Sequence, residues 1–184
     1  MSRYEAEVRW QRGEGERFTD RRYGRAHAWH FDGGAVIPAS SSPQGVPLPY
    51  SRAEHVDPEE ALVAAVASCH MLTFLFLAAK RGLVVDRYAD SATGEVGPGP
   101  NGRPAVVRVT LRPAVTCSGA MKPDDNLVAA LHREAHDGCL VANSIRATVT
   151  VAGTWRRADA AADAAATERD ARPPEPSAAG GSRS

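Results

Sequence analysis

Two short stretches of this chain carry residues that could do chemistry. Cys69 sits in Ala67-Ser-Cys-His70, and Cys139 sits in His136-Asp-Gly-Cys-Leu-Val-Ala-Asn-Ser144. A thiolate is a nucleophile and a metal ligand, whereas a thiol in apolar surroundings is inert because burial raises its pKa. Cys69 lies in the middle of an apolar run, so its default reading is a small core hydrophobe. To act as a nucleophile it needs a cation nearby. It is far past the first turn of any helix built on that run, so a helix dipole cannot supply one. An arginine must arrive from elsewhere. Arg21, Arg22 and Arg25 lie around one predicted strand and Arg52 precedes the helix, each by default a solvated surface charge. Cys69, His70, His136 and Cys139 also offer the donors of a Cys₂His₂ zinc site. Their spacing suits zinc poorly, because adjacent side chains on a helix diverge by about 100°. Cys117, in Val115-Thr-Cys-Ser-Gly119, has no partner motif and reads as structural.

The element that must hold Cys69 is one long helix with both ends marked. Asp57 suits an N-cap, Pro58 the first helical position, and Glu59 and Glu60 the first turn. Lys80 and Arg81 fall in the last turn, and Gly82 suits a left-handed cap. Between Ala61 and Ala79 the apolar residues cover every face, which predicts a buried helix rather than an amphipathic one. The run approaches the ~20 residues of a membrane span. Its alanine content, the interruptions at Ser68, His70 and Thr73, and the lack of a second such run argue against a membrane.

The rest of the chain alternates strands and turns before and after this helix. Residues 4–11 and 23–31 read as strands, Asp32-Gly33-Gly34 as a hairpin turn, and 35–39 as a short return strand. Residues 40–56, with their serines and prolines, read as an ordered surface loop. After the helix, 84–96 and 105–115 read as strands about a turn at 97–102. Residues 123–136 read as a second helix with the stripe Leu127, Leu131 and Ala135, closed by Gly138. Residues 139–143 suggest one more helical turn, and 145–152 a last strand. From residue 156 onward the composition is that of an Ala-, Pro- and Gly-rich tail, weakly helical and then disordered. The expected organisation is one α+β domain over residues 1–155 and a tail over 156–184.

The chain has 184 residues, zero formal net charge and 43% hydrophobic residues. That balance gives no electrostatic reason to expect nucleic acid or an anionic membrane as partner. The first residues contain no apolar stretch of the secretory kind, so no signal is expected. Three cysteines make no secreted disulfide framework, and a reducing cytoplasm is the default. Glycine-rich phosphate loops and nucleophile elbows are absent from the sequence.

Asp57-Pro-Glu-Glu, Ala67-Ser-Cys-His and His136-Asp-Gly-Cys-Leu-Val-Ala-Asn-Ser144, in that order, resemble the osmotically inducible protein and organic hydroperoxide resistance (OsmC/Ohr) family. The resemblance covers about Tyr4 to Trp155, and Tyr23-Gly-Arg-Ala-His-Ala-Trp-His-Phe-Asp-Gly33 looks like one branch of it. It implies antiparallel sheets packed around a long central helix in an intertwined homodimer. It also implies thiol-dependent reduction of organic hydroperoxides without metal, flavin or other cofactor. Cys69 would be the peroxidatic thiolate and Cys139 the resolving thiol. Arg25, counted back from the Asp32 turn, or Arg22 in second place, would hold the thiolate and peroxide, and Glu59 would orient the guanidinium. A lipoylated protein or small dithiol would be the reductant. Two features depart from the pattern: His70 stands where many members have an apolar residue, and the 40–55 loop is long. Some family members lack demonstrated reductase activity, so a hydrophobic-ligand-binding or Cys/His metal-binding protein of this fold is the alternative.

Glu59 and Cys69 are ten residues apart. On a straight helix that is about 15 Å along the axis. A glutamate cannot close that gap, so a Glu59 that serves a thiolate more naturally serves the one on a partner chain, packed across a two-fold axis. The competing reading is that Glu59 only favours the helix N-terminus.

Overall fold

A computed structural model describes residues 1–158 of the chain. The tail expected from residue 156 lies almost wholly outside the described residues. Among the described residues, nine strands and three helices run in the order β1 (Ala6–Arg9), β2 (His27–Phe31), β3 (Val36–Ala39), α1 (Pro58–Lys80), β4 (Val84–Asp90), β5 (Thr93–Pro98), β6 (Pro104–Leu111), β7 (Pro113–Ser118), α2 (Asp125–Asp137), α3 (Leu140–Ser144), β8 (Thr148–Val151) and β9 (Thr154–Arg157). They form three sheets of three strands, ordered β1-β2-β3, β4-β7-β9 and β5-β6-β8. The pairings β1–β2, β2–β3, β4–β7 and β5–β6 are antiparallel. β6–β8 and β7–β9 are parallel.

Helix α1 begins as its sequence dictates. The Asp57 side chain accepts from the Glu60 amide at 2.8 Å, and Glu60 accepts from the Asp57 amide at 3.2 Å. This reciprocal box satisfies two N–H groups that no helical carbonyl can reach. At the other end Gly82 takes φ +74°, the left-handed conformation that only glycine adopts cheaply. Two apolar clusters line up along the helix. Val66 packs with Val109 and Leu111 beside the β5-β6-β8 sheet. Phe74 and Ala78 pack with Leu83, Val115, Cys117, Leu131 and Ala135 beside the β4-β7-β9 sheet and α2. By length and composition α1 could also cross a membrane. Here it packs against α2, α3, β4, β5 and β6.

Four sequence expectations change. The strand expected over 84–96 is two strands, β4 and β5, in different sheets. The strand expected over 105–115 likewise divides into β6 and β7, because Pro113 lacks an N–H and the chain turns a corner there. β9 extends the domain past residue 155, with Trp155 opposite Val115. The all-round burial expected of α1 is met on one face only: Val66, His70, Phe74 and Ala78 are buried, while Leu72 and Phe76 remain 61% and 67% exposed.

Candidate functional site: a thiol pair and a separate arginine–glutamate cavity

Cys69 lies between the two apolar clusters of α1 and is half-buried. Cys139 is fully buried at the corner between α2 and α3, where its sulfur accepts from the Ala142 amide at 3.4 Å and caps α3. Gly138 makes this corner fit. A Cβ on it would stand 3.2 Å from the Thr73 methyl and 3.3 Å from the Glu134 carbonyl oxygen. The bare glycine therefore lets the end of α2 lie against α1 one turn beyond Cys69. Thr73 Oγ1 in turn donates to the Cys69 carbonyl at 2.9 Å.

The two thiols meet across this contact. Burial pushes the Cys139 thiol up, the Ala142 amide works against this, and the neighbouring Cys69 adds to the rise. The neutral thiol of Cys139 is thus favoured beside Cys69. Cys117 is different: it is fully buried in the β4-β7-β9 cluster, and burial followed by the nearby Asp86 raises its pKa. The structural reading of Cys117 agrees with that environment.

Arg25 and Glu59 border one cavity, away from the thiols. Both line a cavity of about 1060 Å³ with His27, Ser41, Asp57, Val63, Ala67 and other residues, and neither Cys69 nor Cys139 is among them. The Arg25 guanidinium lies 3.7 Å above the Tyr23 ring. Its Nη1 donates to the Arg21 carbonyl at 2.9 Å and to the Tyr23 carbonyl. Glu59 is exposed in the first turn of α1. The capping duties there already belong to Asp57 and Glu60. Arg22 is exposed, its backbone N–H bonds Asp20, and it does not line the cavity. Arg25 is therefore the arginine that shares a cavity with Glu59.

His70, one residue from Cys69, faces away from the thiol pair. It is 1% exposed, and its Nε2 lies 3.1 Å from Nδ1 of His132 on α2. The rings stack at 5.4 Å, and Phe74 stacks on His132 at 4.5 Å. Burial lowers the pKa of both imidazoles to about 4. His70 Nδ1 and His132 Nε2 are buried without a partner. Sequence reasoning singled out His70 and missed His132, which sits 62 residues away with no local signal. Among the described residues, no three His, Cys, Asp or Glu side chains are grouped to hold a metal. The four donors of the zinc reading do not converge, because His70 is turned to His132.

The fold is that of an α+β protein built around one long helix, with Cys139 of the α2–α3 corner next to Cys69 on that helix. The chain belongs to the OsmC-like protein family, whose model matches residues 51–152. It is similar to an OsmC-like protein of unknown function from Vibrio cholerae, with 47% identity, a TM-score of 0.82, and coverage of 84% of this chain and 100% of that one. It shares the fold of an organic hydroperoxide resistance protein from Legionella pneumophila at 15% identity and TM-score 0.54, over 84% and 98% of the two chains. An organic hydroperoxide resistance protein from Elizabethkingia anophelis is similar to the same degree, at 15% identity and TM-score 0.55 over 85% and 99%. Among curated proteins no match is found.

Proposed function

We propose that the protein is a thiol-dependent peroxidase that reduces organic hydroperoxides in a reducing cytoplasm and works as a homodimer. The observation that carries this reading is the meeting of Cys69 and Cys139 at the α1/α3 contact. The Cys69 thiolate attacks the terminal peroxide oxygen, the O–O bond breaks, and the departing alkoxide takes a proton to leave as an alcohol. Cys69 is left as a sulfenic acid. The Cys139 sulfur then attacks it, water leaves, and a Cys69–Cys139 disulfide remains. A small dithiol or lipoylated protein restores both thiols by exchange. The buried Cys139 stays protonated until it is needed, which keeps it from competing for peroxide.

The reacting site is shared between two chains. Cys69 and Cys139 are neighbours, Arg25 and Glu59 line one cavity, and about 15 Å of helix separates Glu59 from Cys69. A second copy packed antiparallel along α1 would carry its thiol pair to the arginine–glutamate cavity of the first. The exposed stripe of α1, running through Ala65, Ser68, Leu72 and Phe76, supports such packing. So does β1, all four of whose residues are exposed within one chain. The apolar cavity wall, with Val63, Ala67, Val96 and Val106, favours an alkyl peroxide over hydrogen peroxide. Arg25 would hold the thiolate and the peroxide, and Glu59 would orient the guanidinium by a bidentate pair.

The test is reduction of cumene hydroperoxide with dithiothreitol as reductant, followed by non-reducing peptide mapping after one equivalent of peroxide. Turnover and a Cys69–Cys139 bridge are expected. Absence of turnover, or a bridge that contains Cys117 as the main product, contradicts the reading.

A further inference from the structure

His27 and Trp29 stand two residues apart on β2, on one face of the strand. Trp29 Nε1 lies 3.0 Å from His27 Nε2. His27 Nδ1 lies 2.8 Å from the Arg25 carbonyl oxygen. An indole N–H can only donate and a carbonyl oxygen can only accept. Nε2 of His27 therefore accepts from Trp29, and the single proton of the neutral ring sits on Nδ1 and is donated to Arg25. The two neighbours leave the imidazole one tautomer and one ring orientation.

Arg25 needs such a hold. It precedes β2 by two residues, so no strand ladder fixes its backbone. Its amide N–H donates to the Tyr50 carbonyl at 2.8 Å, which ties it to the 40–56 loop. His27 ties down the remaining backbone group. The guanidinium curls back onto the Arg21 and Tyr23 carbonyls and the Tyr23 ring, so its place depends on the course of the main chain at residue 25. His27 and Arg25 line the same cavity.

We infer that His27, oriented by Trp29, is the positioning residue of Arg25: its Nδ1–H fixes the backbone from which the guanidinium serves the thiolate and the peroxide. The role presupposes the peroxidase reading above. It acts through Arg25 and involves no contact of the imidazole with the reacting atoms.

The experiment compares His27→Asn, which keeps a donor where Nδ1–H stood, with His27→Gln and His27→Phe, which do not. Trp29→Phe leaves His27 in place but frees its tautomer. Two readouts are taken on the dimeric protein: kcat/KM for cumene hydroperoxide, and the rate of Cys69 alkylation by iodoacetamide at neutral pH, followed by mass spectrometry. The loss of one hydrogen bond predicts a fall of about tenfold in both readouts for Gln and Phe, with Asn within about threefold of the parent. Trp29→Phe should lie between. Equal alkylation and turnover in parent, Gln and Phe overturn the inference. So does equal impairment of Asn, Gln and Phe at an unchanged melting temperature, because the donor would then not be what matters. A parent that reduces no hydroperoxide sinks the peroxidase reading alone, since the alkylation series still decides the role of His27.

Discussion

Cys69 and His70 are neighbours on one helix, yet they belong to two environments. A rotation of about 100° per residue sends the cysteine to the α2–α3 corner and the histidine to the interior of α2. Cys69 is half-buried, and the buried Cys139 thiol neighbours it. His70 is closed off, paired with His132, and held neutral by burial. In the proposed reading, one side of the helix keeps a reactive atom within reach, and the other keeps its imidazoles neutral at neutral pH. A helix can thus carry a reactive group and a structural polar group side by side, provided its two faces are packed differently.

The contrast is broken most severely at the thiol pair. Cys69→Ser is expected to lower steady-state peroxidase activity by on the order of a thousandfold or more. Cys117→Ser, which removes a core thiol with no partner, should stay within about twofold at a small cost in stability. Equal losses in the two variants, in a coupled peroxide assay, would remove the distinction between them. Cys139→Ser should retain the first stoichiometric reaction with peroxide but stall afterwards, with Cys69 accumulating as the sulfenic acid. Stopped-flow measurement of the first and later turnovers separates these outcomes.

The histidine side is broken by acid. His70 and His132 have pKa values of about 4 in the fold. In the unfolded chain they return to about 6.5. The unfolded state therefore binds protons first as pH falls. The stability these rings contribute is complete above about 6.5 and is lost progressively down to about 4. At 1.36 kcal/mol per pH unit the loss is on the order of 3 kcal/mol for the first ring to be protonated. Urea melts at pH values across that window check it. Replacing both rings, in a His70→Leu/His132→Leu chain, should flatten the dependence, while His70→Leu alone leaves His132 unpartnered and costs about 1–3 kcal/mol.

A smaller effect sharpens the same region. A Cβ on Gly153 would lie 2.5 Å from His132 Nε2 and 2.9 Å from its Cδ2. Gly153→Ala should destabilise the fold by about 1–3 kcal/mol through overpacking. Peroxidase activity at a temperature where the variant is folded should be unchanged. An activity loss equal to that of Cys139→Ser would mean that the histidine side is coupled to the thiols.

Much of the molecule was legible because its signals are local. The ends of α1 follow from Asp57, Pro58, Glu60 and Gly82, each acting within one turn of itself. The hairpin at residues 32–34 follows from its glycines. The two thiol stretches were visible as stretches, and their meeting followed from the resemblance. The corner at Pro113 carried a signal that the strand reading overlooked: a proline in a run of alternating residues marks a break. β9 was missed because its pairing with β7 is non-local and parallel, and only Trp155 marks it as core. His132 lies outside the stripe of Leu127, Leu131 and Ala135 that marks α2 in sequence, and nothing near it announces His70. The His27–Trp29 pair lay in plain view at strand spacing, but its meaning depends on where the Arg25 carbonyl points.

The central claim is that the thiol pair of one chain works with Arg25 and Glu59 of another. Its most direct test mixes a Cys69→Ser chain with a Glu59→Gln chain and assays heterodimers purified by two different affinity tags. Each parent homodimer has only impaired sites. A shared site predicts that the heterodimer regains one intact site, with wild-type Cys69 from one chain and wild-type Glu59 from the other, and about half the wild-type activity per dimer. Heterodimers of demonstrated composition that stay at the level of their parents would contradict the shared site, leaving Glu59 to act within its own chain or not at all.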